Sequence, residues 1–113
     1  MRPAVEGQTM RMEIAASIQY MARNLRQEIS LTHLASMVGL NATYFSRLFK
    51  QELGMGFSDF MTILRVDQAQ VLLKKRNMSI QEISEQCGFS DVSYFCRKFK
   101  SVVGMAPSVW RIK

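Results

Sequence analysis

At 113 residues the chain has room for one domain, or for two very small subdomains sharing a helix, and its 48% hydrophobic content is enough for a core. Fifteen Lys and Arg against nine Asp and Glu leave a formal charge of +6, which suits a polyanionic partner, nucleic acid first and an acidic membrane surface second. Two cysteines without a CxxC pair argue against a disulfide framework, and no apolar run is long enough for a membrane span.

Residues 1–8 contain Pro3 and Gly7 but no periodicity, and read as a flexible leader or linker remnant. They lack the apolar core of a signal peptide, so a cytoplasmic, reducing location is expected. A first helix should follow a Thr9 cap, with Ile14, Ile18, Met21 and Leu25 on one face and Arg23 and Arg26 near its end. Ser30 is placed to cap the next helix, Leu31 to Val38, with Ile29 and Leu34 stapling across it. Leu31, Leu34 and Val38 should be buried there. Gly39 then supplies the positive φ of a tight turn, Leu40 plugs the core, and Asn41 caps the following helix. A small Ala35, four residues before the glycine, lets two helices cross closely. Helix, glycine turn, helix is the helix-turn-helix pattern, and residues 9–56 form a first subdomain of this kind.

Gly54 ends that pair. Ser58 is expected to cap a long segment reaching Arg76, ~27 Å at 1.5 Å per residue. Phe57, Phe60, Met61, Leu64, Val71 and Leu72 lie on one apolar face of it, and Ile63, Val66 and Leu73 on a second. Residues 57–77 therefore read as a linker helix buried on two sides, with Lys74, Lys75 and Arg76 at its negative end and Asn77 as a left-handed cap. The second subdomain, 78–113, opens with capping-box spacing between Ser79 and Glu82, and Met78 can staple to Ile83. Ile80 and Ile83 face inward, Cys87 closes the helix, Gly88 turns the chain, Phe89 plugs the core and Ser90 caps the next helix. Pro107 suits the first turn of a closing helix containing Val109, Trp110 and Arg111. No strand-like alternation occurs, so the fold class is all-α, with two helix-turn-helix subdomains on a long linker helix and about seven helices.

The two helix pairs are copies. Thr43 to Ser58 aligns with Ser93 to Ser108 at an offset of 50 with 8 of 16 positions identical, and Ser30 to Leu40 matches Ser79 to Phe89 at an offset of 49. One residue was gained in the second turn. Duplication of a whole helix pair is an architectural signal. In the later copy Phe95, Phe99 and Val102 form a buried stripe, and Ser93, Cys96, Arg97 and Lys100 a short, polar, basic one on another face. Phe45 and Phe49 are buried in the first copy, where Glu52 interrupts the stripe and Leu53 closes it, as Val103 could in the second. Thr43, Ser46, Arg47 and Lys50 face outward. Such a stripe is the chemistry wanted where a helix meets base edges and phosphates.

The motifs LxxLAxxxGLNxTYFSRLFKxELG in the first unit, RxxxAxxLL from Arg65, and IxEISxxxGFSDVSYFCRKFKxxxGMAPSxWR in the second resemble the DNA-binding domain of AraC/XylS-type bacterial transcription regulators, over roughly Ile14 to Arg111. The resemblance implies a bipartite domain whose two recognition helices enter successive major grooves on one face of DNA. It implies base readout by Thr43, Ser46 and Arg47 in the first unit and by Val92, Ser93, Cys96 and Arg97 in the second. This sequence departs from the family at Cys96, where Ser is usual, at Trp110, where Tyr is usual, and at Ala106, where a capping Thr is usual. The last should weaken a cap by ~1 kcal/mol. No effector-binding or dimerisation domain of the family lies in this sequence, and the irregular leader points to a domain cut from a longer regulator.

Arg47 and Arg97 can bond bidentately to guanine, each pair contributing ~1–3 kcal/mol of discrimination. Lys50 and Lys100 lie one turn farther along and are expected on phosphates, with Asn41, Ser90 and Lys98 as further backbone contacts. Phe45, Phe49, Phe95 and Phe99 are spaced as core, not as base-stacking platforms. His33 has no companion ligands, so neither a metal nor a cofactor is expected, and nothing in the chain has the spacing of a catalytic site. Cys96 reads as a small residue standing in for Ser rather than as a redox switch. The expected partner is double-stranded DNA with an asymmetric bipartite operator, bound by a monomer, with RNA polymerase as a further partner and no membrane. A helical adaptor or a non-specific basic nucleic-acid binder are the alternatives; the first leaves two matching basic stripes unexplained.

Overall fold

The computed structural model describes residues 10–113, so the 1–8 leader and the Thr9 cap lie outside the described residues. Those residues form seven helices and no strand: α1 Met12–Arg23, α2 Leu31–Met37, α3 Ala42–Leu53, α4 Phe57–Leu73, α5 Ile80–Gln86, α6 Val92–Val103 and α7 Pro107–Arg111. They group into two compact units. The first runs to Asn24 and resumes over Ile29–Met61, and the second comprises Leu25–Glu28 and Thr62–Lys113, so α4 contributes to both.

In the first unit α1 buries Ile14 and Met21, with Ser17 between them donating its hydroxyl to the Ile14 carbonyl at 2.8 Å. The helix stops at Arg23, earlier than its apolar spacing implied, and Leu25 lies beyond it. Asn24 ends it by donating Nδ2 to the Tyr20 carbonyl at 2.8 Å. Ser30 caps α2 as expected, accepting from the His33 N–H at 3.0 Å, and Asn41 caps α3, its Oδ1 accepting from the N–H groups of Thr43 and Tyr44. Between them Gly39 takes φ 76°, and the Gly39 and Leu40 N–H groups return to the Ser36 and Ala35 carbonyls, a Schellman closure. Ala35 is buried, as a close helix crossing requires. Phe45, Leu48 and Phe49 line the inner face of α3, and Phe49 meets the rings of Phe57 and Phe60 edge-on. Glu52, the interruption in that face, accepts from the Arg11 N–H at 3.2 Å, a carboxylate at the positive end of α1.

The long helix begins at Phe57, one residue before the expected Ser58 cap, and the Phe60 N–H reaches the Gly56 carbonyl at 3.0 Å. It ends at Leu73, short of Arg76. Met61, Val66, Ala69 and Leu73 are buried, but Val71 is 53% exposed, against its assignment to an inner face. At 100° per residue Val71 lies about 140° round the helix from Val66, which the core already holds. The left-handed residue of the following turn is Arg76 at φ 63°, not Asn77; the Asn77 N–H bonds the Lys75 carbonyl at 2.7 Å across it.

The second unit packs Val66, Ala69, Leu73, Ile83, Cys87, Phe89, Phe95 and Phe99 into one core, with Val92, Cys96, Val103 and Trp110 half-buried at its edge. The capping box forms in full: Ser79 Oγ accepts from the Glu82 N–H at 3.0 Å while Glu82 Oε1 accepts from the Ser79 N–H at 2.8 Å. Helix α6 is capped by Asp91, whose carboxylate accepts from the Tyr94 N–H at 2.7 Å, and not by Ser90. The residue gained in this turn moves the cap one place farther from the glycine. Val102 is 43% exposed and Val103 takes its place against the core, so the inner stripe of α6 is Val92, Phe95, Cys96, Phe99 and Val103. Ala106 precedes α7 without a side-chain cap bond, as the departure at that position implied.

Two arginines tie this unit together. Arg65 donates Nε to the Leu25 carbonyl and Nη2 to the Gln27 carbonyl, both at 3.0 Å, and Arg111 donates Nε to the Leu73 carbonyl at 2.9 Å. Burial pulls the Arg65 guanidinium below its ordinary range. Gly88, at φ 89°, lies against the same Leu25 backbone, so a Cβ there would run into the Leu25 carbonyl.

Gly88→Ala therefore adds a backbone clash to the left-handed penalty, whereas Gly39→Ala meets open space and carries only the penalty, ~1–2 kcal/mol. Urea denaturation should show Gly39→Ala losing about that much and Gly88→Ala losing clearly more; equal losses would remove the Leu25 contact from the account. Ser84 is buried with its hydroxyl unbonded among the described residues, and Ala35 holds the matching place in the first copy. Ser84→Ala should accordingly raise stability by ~1 kcal/mol, read as a higher urea midpoint at unchanged m.

Candidate nucleic-acid interface

Each unit presents one capped twelve-residue helix with an aromatic inner face and a cationic outer one. On α3, Thr43, Ser46, Arg47 and Lys50 are all exposed, which is where the spacing put them. On α6, Ser93, Arg97 and Lys100 are exposed. Cys96 is not on that outer face: it is half-buried and packs against the core, as does Val92. The thiol behaves as a small apolar group, and its place three residues before Phe99 and four after Val92 draws it to the edge of the apolar stripe. Matched Ser46, with a hydroxyl to hydrate, stays in solvent. The structure thus brings Thr43, Ser46, Arg47 and Lys50 together as a stripe, and Ser93, Arg97 and Lys100 as another, with Val92 and Cys96 bordering the second.

Lys98 differs from its counterpart too. Leu48 is buried in the first unit, while Lys98 is half-buried and lays its ammonium 5.6 Å from the centre of the Tyr94 ring. Asn41, expected on phosphate, spends its Oδ1 on the α3 cap, which leaves the Nδ2 donors for a phosphate; Ser90 is exposed and free of the capping role. No acidic residue occurs within α6, and on α3 the acid Glu52 is turned to α1. Both stripes are therefore uniformly positive.

Sequence reasoning passed over Tyr44 and Tyr94, which stand on these helices with 42% and 36% of their surface exposed. The signal was present: in a YFxRxFK pattern the Tyr cannot share the face of both phenylalanines. An open cleft of about 500 Å3 beside Tyr94 is lined by Arg26, Glu28, Arg65, Glu85 and Ser90, charges of both signs.

Among the described residues both cysteines are free, no group of His, Cys, Asp and Glu is arranged to hold a metal ion, and no helix is long and apolar enough to cross a membrane. Burial pushes the Cys87 thiol up to about 11, so it is an inert core group. His33 lies beside the Tyr20 ring, 5.7 Å between centroids.

Residues 34–113 match a family described as a helix-turn-helix domain. The chain is 42% identical over 88 residues to YfiF, an uncharacterized HTH-type transcriptional regulator of Bacillus subtilis (strain 168), covering 78% of this chain but 28% of that protein. Among solved structures it superposes on the C-terminal domain of AraT, a response regulator from Geobacillus stearothermophilus, with TM-score 0.86 and 30% identity, covering 92% of this chain and 87% of that one. A Chromobacterium violaceum transcriptional regulator described as carrying an AraC-type DNA-binding domain aligns with TM-score 0.84 and 29% identity, over 88% of this chain and 89% of that one. The repeated capped helices and their cationic faces are those of a DNA-binding domain, and the chain belongs to the helix-turn-helix DNA-binding domains of AraC-type transcription regulators.

Proposed function

We propose that this domain reads one asymmetric double-stranded operator as a monomer in the cytoplasm, with α3 and α6 each in a major groove, and that its binding positions a longer regulator relative to RNA polymerase. The observation that carries the proposal is the repeat itself: two helices on the same Phe-Phe-Gly framework, each turning an Arg, a Lys and small hydroxyl residues to solvent. Arg47 and Arg97 take the role of guanine readers, with exposed Thr43, Ser46 and Ser93 as neighbouring base contacts and half-buried Val92 and Cys96 at their border. Lys50, Lys98, Lys100, Ser90 and Asn41 hold the backbone. Three matched pairs on or beside the stripes differ, Thr43 and Ser93 on the outward face, exposed Ser46 and half-buried Cys96 at its edge, and half-buried Ala42 and Val92 at its border. A non-specific binder would have no use for such divergence on a preserved scaffold.

Selection of bound duplexes from a random library should enrich one motif with two dissimilar halves. Against that motif Arg97→Ala should cost ~1–3 kcal/mol and relax preference at one or two base pairs. Lys100→Ala should instead weaken all sequences about equally and lower the salt slope by about 1. A uniform loss from both substitutions would remove Arg97 from base reading.

Because one chain carries both helices, the half-site centres should lie ~10 bp apart, and the site should contain no palindrome. Inserting about five base pairs between the halves turns one of them by about half a turn and should abolish tight binding by a single chain. Retained affinity in a gel-shift titration, or two chains bound per palindromic site, would show that the two units do not act on one operator.

A further inference from the structure

We infer that Tyr94 is a positioning residue for DNA readout by the second unit, holding Arg97 and Lys98 on its ring before DNA arrives; this rests on the reading of α6 as a recognition helix. The ring centre lies 5.8 Å from the Arg97 guanidinium carbon and 5.6 Å from the Lys98 ammonium, inside the range of cation–π attraction. The helix enforces this arrangement, because residues three and four positions on are the two that meet a side chain on the same surface. The ring itself is held in turn. Phe89, almost fully buried, meets it at 6.1 Å, and the Tyr94 N–H is fixed by the Asp91 cap.

The consequence is directional. Arg97 is drawn back along α6 toward its N-terminal turn, the end of a recognition helix that contacts base edges. A free arginine loses rotamer freedom when it engages a base; one already restrained over a ring loses less. The first unit has the same tyrosine without the same device: among the described residues no cation lies over Tyr44, and Leu48 in place of Lys98 is in the core. The second unit should therefore discriminate bases more sharply through Arg97 than the first does through the matched Arg47.

The test is a double-substitution cycle on the selected operator. Tyr94→Leu should reduce discrimination at the Arg97 base pair about 3- to 10-fold, and in an Arg97→Ala background it should change that discrimination little. Tyr94→Phe keeps the ring and should restore the wild-type preference, which a hydroxyl contact to DNA would not. In the free wild-type chain, the Arg97 δ-methylene protons should be shifted upfield by the ring current in NMR spectra, a measurement that needs no variant to fold. Random-coil positions for those protons, or additive effects of the two substitutions, would overturn the inference. An enriched operator whose preference at the Arg97 base pair is unaltered in Tyr94→Leu overturns it alone. Failure of the wild-type chain to enrich any operator overturns the functional reading together with it.

Discussion

The structure depends on a pair of phenylalanines four residues apart, Phe45 and Phe49 in one unit and Phe95 and Phe99 in the other, all fully buried. Their rings meet at 5.8 Å in both units. Each outer phenylalanine then meets an aromatic ring of the next helix edge-on, Phe60 at 5.6 Å and Trp110 at 6.0 Å, with the same interplanar angle of 73°. Removing one such ring from a core costs ~3–5 kcal/mol, a large part of the stability of so small a unit. Once those two positions point inward, the helical period leaves no choice about Thr43 and Arg47, or Ser93 and Arg97. The face turned to solvent is fixed by the face that packs.

Most of this is legible in the amino-acid sequence. Glycine turns, the Ser30 and Asn41 caps and the Ser79–Glu82 box depend on a few neighbouring residues, and local chemistry is what a sequence displays. The errors concern residues whose placement is decided by distant parts of the chain. Val71 and Val102 are apolar and lie near apolar stripes, yet both are exposed because closer angular neighbours already fill the core. The Ser90 cap failed for another reason: Ser90 and Asp91 are adjacent good caps, and the inserted residue decided between them. The match to Ser46 implies an outward Cys96, but a thiol and a hydroxyl at the margin of a core settle on opposite sides of it.

Duplication also explains how the two stripes could diverge without loss of the fold. The positions that match most closely, the phenylalanines and the glycine turns, are those with no alternative in the packing. Leu48 became, or began as, Lys98 at a place on the inner margin where a long stem can lie along the helix and bring its charge out over Tyr94. Equivalent backbones therefore carry unequal surfaces. In the same way Ala35 and Ser84 occupy one site in two copies, and the hydroxyl of the second remains as an unbonded group that the first does without.

The net charge of +6 identifies the class of partner but overstates how much of the molecule meets it. Arg65 and Arg111 spend their guanidinium groups on main-chain carbonyls, at a desolvation cost visible in the lowered range of Arg65 and in the buried, unbonded Nη2 of Arg111. Lys74 lies 6.0 Å from the Trp110 ring centre. These cations serve the fold first. A helix C-terminus or a chain turn exposes carbonyl groups that nothing in the core can satisfy, and a forked donor reaching from a distant helix satisfies them where a lysine would manage one. The exposed cations of α3 and α6 are then few and placed on two stripes. That arrangement, rather than the total, is what distinguishes a reader of sequence from a basic surface that holds any polyanion.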